Sequence, residues 1–140
     1  MLEGKKIIVT GSASGMGEAT LKAYVKAGAN VIGMDISDDK GKDISTNANI
    51  HGPGTCSFIH IDVSDEDSVK NAFNLAMDKL KTLDVLAHPA AIQGPADASS
   101  VKVKDWDNMF AVNVRGTMLT NQNAFKYMKE NGSGSIIYFG

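Results

Sequence analysis

The residues best placed to do chemistry fall in one short stretch, Thr10-Gly11-Ser12-Ala13-Ser14-Gly15-Met16-Gly17. A β-branched run, Lys6–Thr10, leads into it, and Met16, Ala19, Thr20, Ala23 and Ala27 follow at helical spacing. Glycines at a strand-to-helix junction allow a tight turn and let the backbone approach a phosphate closely. The first helical turn then offers amides without intrahelical partners and a partial positive charge, which suits a pyrophosphate. The spacing is not G-x-G-x-x-G, and it is not a P-loop because Gly-Lys-Ser/Thr is missing. Taken alone, the three glycines also fit a tight turn with no ligand.

Asp35 adds a second signal. It lies 18 residues after Gly17, at the end of the apolar run Asn30–Met34. An acid there is placed to accept hydrogen bonds from the ribose hydroxyls of a dinucleotide; the competing reading is a surface turn opened with Ser37 and Asp38. A carboxylate repels a 2′-phosphate, and neither Ser14 nor Ile36 supplies a cation to receive one. The pattern therefore favours NAD over NADP.

Other chemistries find little support. Cys56 is the only cysteine, which excludes an internal disulfide and a cysteine-based metal site. His51, His60 and His88 are far apart in sequence without ligand spacing, so no metal site is expected. Lys and Arg total 14 against 16 Asp and Glu, a net charge of −2, and Arg115 is the only arginine. No basic stripe marks a nucleic-acid partner. No apolar run reaches the roughly 18 residues of a membrane span. Together with the lone cysteine this points to a reducing, cytoplasmic location.

The elements that must position these residues alternate regularly. After the first strand (Lys6–Thr10) and helix (Gly15–Ala27), the pattern predicts a strand over Asn30–Met34 and a polar helix over Asp38–Asn47. A strand follows over Thr55–Ile61, then a helix over Asp65–Lys81 capped by Ser64, and a strand over Leu83–Ala87. A loop runs from Pro89 to Lys104, a long helix covers Asp105–Glu130, and a last strand covers Ser135–Phe139. Strands separated by helices require right-handed crossovers and a parallel sheet covered on both faces. Ligands of such sheets bind beyond the carboxyl ends of the strands. At 140 residues with 43% hydrophobic content, the length allows one domain with a real core and roughly 7,000 Å² of folded surface.

Set in that frame, the chain resembles the N-terminal part of a short-chain dehydrogenase/reductase, an NAD(P)-dependent oxidoreductase family. Thr10-Gly11-x-x-x-Gly15-x-Gly17 is similar to the family's cofactor fingerprint. Asp62-Val63 resembles its adenine-holding pair, with the carboxylate taking the exocyclic amine; Asp62 as a second cap of the next helix is the alternative. Val112-Asn113-Val114-Arg115-Gly116 is similar to its fourth-helix motif, in which the residue matching Asn113 supports a water of the proton relay; an ordinary interfacial asparagine is the alternative. Gly134-Ser135-Ile136-Ile137 resembles the start of its fifth strand. One match is imperfect: His88-Pro89-Ala90-Ala91 stands where the family commonly has Asn-Asn-Ala-Gly. Ala90 agrees, but Pro89 removes a donor and Ala91 takes positive φ less freely than glycine, so weaker cofactor binding or a different loop path is expected.

The resemblance implies an α/β fold: a Rossmann-type doubly wound parallel sheet, here truncated after the fifth strand. It implies an NAD-dependent enzyme interconverting an alcohol and a carbonyl by hydride transfer. Gly11, Ser14, Gly15, Met16, Gly17, Asp35, Ile36, Asp62, Val63 and Ala90 would hold the cofactor, and Asn113 would serve the relay. The family's proton donor is a Tyr with a Lys four residues on, helped by a Ser after strand five. Tyr24, Tyr127 and Tyr138 have no such Lys, and the Ser is not among these residues. The 140 residues are thus expected to be one incomplete NAD-binding domain, inactive alone. The alternative is a non-catalytic NAD-binding protein or pseudoenzyme subunit; the residues after Gly140 would separate the two. A flavodoxin-like or receiver-like module is disfavoured, because a receiver needs acids after strand one. The expected partners are a small-molecule alcohol or carbonyl and a second copy, paired through the 105–130 helix.

Overall fold

The computed structural model describes residues 1–94 and 97–139. Pro95 and Ala96, within the loop predicted from Pro89 to Lys104, and Gly140 lie outside the described residues. Five parallel strands form one sheet in the order β3-β2-β1-β4-β5. They are β1 (Lys6–Thr10), β2 (Asn30–Asp35), β3 (Thr55–His60), β4 (Val85–His88) and β5 (Ser135–Tyr138). The helices are α1 (Gly15–Lys26), α2 (Asp38–Ile50), α3 (Glu66–Leu80), α4 (Val103–Phe110) and α5 (Gly116–Asn131).

Alternation along β1 explains the two layers. Ile7 and Val9 face one way, into a cluster with Leu21 and Val25 of α1 and Val31 of β2. Ile8 faces the other, into a cluster with Val69 and Phe73 of α3 and Leu119 of α5. Successive side chains of a strand point to opposite faces, so a strand covered on both must be apolar throughout. The chain steps from β1 outward to β2 and β3, then returns to lay β4 on the other edge of β1. That reversal opens a crevice at the carboxyl ends of β1 and β4.

Most element ends shift by a residue or a few from the sequence reading, and three of the differences have a specific structural setting. The cap of α3 is Asp65, whose side chain accepts a hydrogen bond from the Ser68 amide; Ser64 instead turns back to Asp62. Leu83 and Asp84 precede β4, where the Asp84 carboxylate accepts the Lys6 amide at 2.7 Å. The expected single helix over 105–130 starts at Val103 and is interrupted by a π-helical segment, Ala111–Arg115. The accessible surface is 7,875 Å², above the roughly 7,000 Å² that chain length predicts. Apolar side chains contribute to it: Trp106, Phe110, Val114, Met118 and Phe125 of the α4–α5 helix and Ile137 and Tyr138 of β5 are all exposed.

Candidate active site

The crevice holds a cleft of about 340 Å³. All ten residues assigned to cofactor binding from sequence line it: Gly11, Ser14, Gly15, Met16, Gly17, Asp35, Ile36, Asp62, Val63 and Ala90. Asn113 does not line it; its neighbour Val112 does.

The glycine turn is built by close approach. A Cβ on Gly17 would lie 1.9 Å from the Gly11 carbonyl oxygen, and one on Gly11 would lie 2.8 Å from the Ala90 Cα. No side chain fits at either place without prising α1 or the β4 loop away. Gly15 has φ +53° with open space beyond it, so its constraint is conformational. Ser14 takes the N-cap position of α1 but makes no side-chain capping bond, and Glu18 makes the first intrahelical bond, to the Ser14 carbonyl. Gly15, Met16 and Gly17 of that first turn line the cleft, and amides at a helix N-terminus lack intrahelical partners.

Asp35 ties the turn to the sheet. One carboxylate oxygen accepts the Ala13 amide at 3.0 Å and the other accepts the Ser37 amide at 2.9 Å. Each oxygen keeps a lone pair, since an ionised carboxylate offers about four acceptor sites. Asp62 is organised differently. Its Oδ1 accepts both the amide and the hydroxyl of Ser64, at 2.9 and 2.6 Å. Its lining neighbours include Asp35 and no lysine or arginine.

The imperfect tetrad keeps the wall intact. Pro89, Ala90 and Ala91 all line the cleft. Lys81 is the only non-glycine with positive φ among the described residues, so the loop runs with Ala91 in an ordinary conformation. His88 is buried beneath it, 3% exposed, with Nδ1 2.8 Å from Thr10 Oγ1 and 3.2 Å from Thr120 Oγ1. Burial pushes its pKa down to about 4, so it is neutral at pH 7. Nε2 is buried without a hydrogen-bond partner among the described residues. His88 thus links β1, β4 and α5 under the cleft, away from its lining.

Asn113 lies in the π-helical segment. Its Oδ1 accepts the Ile92 amide and its Nδ2 donates to the Ile92 carbonyl, both at 2.8 Å. Its side chain is therefore committed to the backbone of the β4 loop. The sequence reading missed Ile61, Pro89, Ala91, Ile92 and Val112 as lining residues. Four of them adjoin residues it named; Ile92 is reached only through the Asn113 pairing and carries no local signal. Among the described residues no group of three or more His, Cys, Asp or Glu side chains could hold a metal ion. No described helix is long and apolar enough to cross a membrane.

Comparison with known proteins agrees with this geometry. The chain is 34% identical over 138 residues to (+)-borneol dehydrogenase 2 of Salvia officinalis, covering 97% of this chain and 48% of that protein. It is 35% identical over 138 residues to secoisolariciresinol dehydrogenase of Forsythia intermedia, covering 97% and 49%. The chain therefore spans about half the length of these curated relatives. Among solved structures, gox2181 superimposes with a TM-score of 0.95 at 26% identity, over 99% of this chain and 54% of that one. A short-chain type dehydrogenase/reductase from Mycobacterium ulcerans shares the fold with a TM-score of 0.93 at 24% identity, over 97% and 50%. The short chain dehydrogenase family model matches residues 5–140, from the first strand through the last, and the chain belongs to that family.

Proposed function

We propose that these residues form the dinucleotide-binding part of an NAD-dependent oxidoreductase that interconverts an alcohol and a carbonyl. The observation that carries this reading is the cleft itself: an open helix N-terminus, a glycine turn no side chain could enter, and Asp35 at its rim. The relatives named as dehydrogenases of borneol and secoisolariciresinol support the alcohol–carbonyl assignment.

In this reading the first-turn amides of α1 take the pyrophosphate, Asp35 takes the adenosine ribose hydroxyls, and Asp62 with Val63 takes the adenine. Ile36 and Met16 pack beside the nucleotide, and Ala90 gives a small wall. The bound cofactor supplies a hydride acceptor or donor. Asn113 serves the proton relay indirectly, by fixing the Ile92 backbone. With two acids and no Lys or Arg in the lining, the cleft disfavours a 2′-phosphate, which selects NAD over NADP. Neither the Ser nor the Tyr-x-x-x-Lys of the family is among these residues, so the 140-residue chain is expected to bind without turnover. A second copy would pair through the exposed α4–α5 face, in a cytoplasmic setting.

Calorimetric titration with NAD and NADP tests the reading. NAD is expected to bind more tightly, and Asp35→Ala to lower the NAD:NADP preference by roughly tenfold, the worth of a charged hydrogen bond. An unchanged preference removes Asp35 from the ribose site, and no binding of either dinucleotide removes the cofactor assignment.

A further inference from the structure

We propose that Arg115 is a positioning residue for the adenine end of the cleft, acting through Ser64 on the Asp62 carboxylate. This rests on the dinucleotide reading above and adds a residue to it.

The Asp62 turn leaves one oxygen for a ligand. Oδ1 is taken by the Ser64 amide and hydroxyl, and the Asp62 amide donates to Ser68 Oγ at 2.8 Å. Oδ2 has no protein donor among the described residues, and Asp62 lines the cleft. Where Oδ2 points depends on how Ser64 is held, because Ser64 supplies both bonds that orient the carboxylate.

Ser64 is held from the other side by the π-helical segment. Arg115 donates from Nε at 3.2 Å and from Nη2 at 2.9 Å, both to the Ser64 carbonyl oxygen. The next residue, Gly116, brings the helix backbone against the same loop: a Cβ there would lie 2.9 Å from Val63 Cγ2 and 3.0 Å from the Val63 carbonyl oxygen. Loop and helix thus meet by direct contact, with the guanidinium fork locking the register.

The use of arginine here fits that task. It is the only arginine among 14 basic residues, and both of its bonds go to a backbone carbonyl. It forms no ion pair among the described residues, so it is not spent on a surface salt bridge. A lysine is a single point charge and cannot supply two donors in a fixed plane. Two residues earlier, Asn113 grips the Ile92 backbone on the opposite wall. Five π-helical residues therefore brace both walls of the cleft, the adenine wall through Arg115 and the far wall through Asn113. Extra residues in a helical turn of this kind recur at functional sites.

The test is titration of this chain with NAD and with its hypoxanthine analogue, which lacks the exocyclic amine that Asp62 would accept from. The wild type is expected to prefer NAD. Arg115→Met is expected to weaken NAD roughly fivefold, about one ordinary hydrogen bond, while leaving the analogue unchanged. Arg115→Lys should fall between, and if Arg115→Met fails to fold, the lysine variant decides alone. A full adenine preference in the variant overturns the inference and leaves the NAD reading intact. Equal weakening of both dinucleotides overturns it as well, since that is what a purely structural role gives. A wild type that binds NAD without adenine preference removes Asp62 and Arg115 together, and a wild type that binds neither removes the cofactor reading itself.

Discussion

His88 makes the stability of this chain depend on pH in a way that can be calculated. An unfolded histidine titrates near 6.5, and burial lowers the folded value to about 4. Between those values the unfolded state binds the extra proton, so stability rises with pH and is lost as pH falls from 6.5 toward 4. At pH 5 the integrated difference is a factor of about 30, or about 2 kcal/mol. At pH 7.5 it is close to zero. The perturbation is His88→Asn, whose amide is short enough for the pocket and able to reach Thr10, but does not titrate. Urea unfolding followed by circular dichroism at pH 7.5 and 5.0 gives the four values needed. Every other titrating group is common to both chains and cancels in the comparison. With a slope of about 1.5 kcal/mol per molar urea, the wild-type midpoint should fall by about 1.3 M more than the variant's on acidification. Equal losses in the two chains would refute the reasoning, because a His88 exposed enough to titrate normally contributes nothing to the difference.

Two further outcomes follow from packing. Gly17→Ala places a methyl group against the Gly11 carbonyl oxygen, and is expected to destabilise the fold by about 1–3 kcal/mol and to abolish NAD binding; thermal melts and calorimetry read the two effects separately. Trp106→Glu introduces charge onto the exposed α4–α5 face, where Trp106 stacks on Phe110 with ring centroids 4.8 Å apart; if copies pair through this face as proposed, sedimentation should show the variant less associated than the wild type, with NAD affinity unchanged.

What could be read from sequence was whatever is local. The glycine turn, Asp35 and Asp62 each sit within a residue or two of a strand end, and the parallel topology carries them to one rim without further information. What could not be read depends on contacts between distant segments. Both Ser64 and Asp65 are good caps, and only the pairing of Ser64 with Asp62 decides for Asp65. The π-helical segment looks like continuous helix in its apolar pattern, and its interruption shows only beside Val63, Ser64 and Ile92. Val85 begins β4 two residues late because Asp84 is held by the Lys6 amide, a partner 78 residues away.

The return of β4 to the near edge of β1 also sets a schedule for synthesis. Ile7 finds its first neighbour, Val31, after 24 residues, but its second, Val85, is 78 residues away. At about 5–20 residues per second the ribosome needs roughly 4–16 s to supply it. Through that interval the strand that ends as the innermost of the sheet is an open apolar edge, with Ile7, Ile8 and Val9 exposed to whatever else can pair with them. The step that opens the crevice between β1 and β4 is thus also the step at which the nascent chain most needs protection from aggregation.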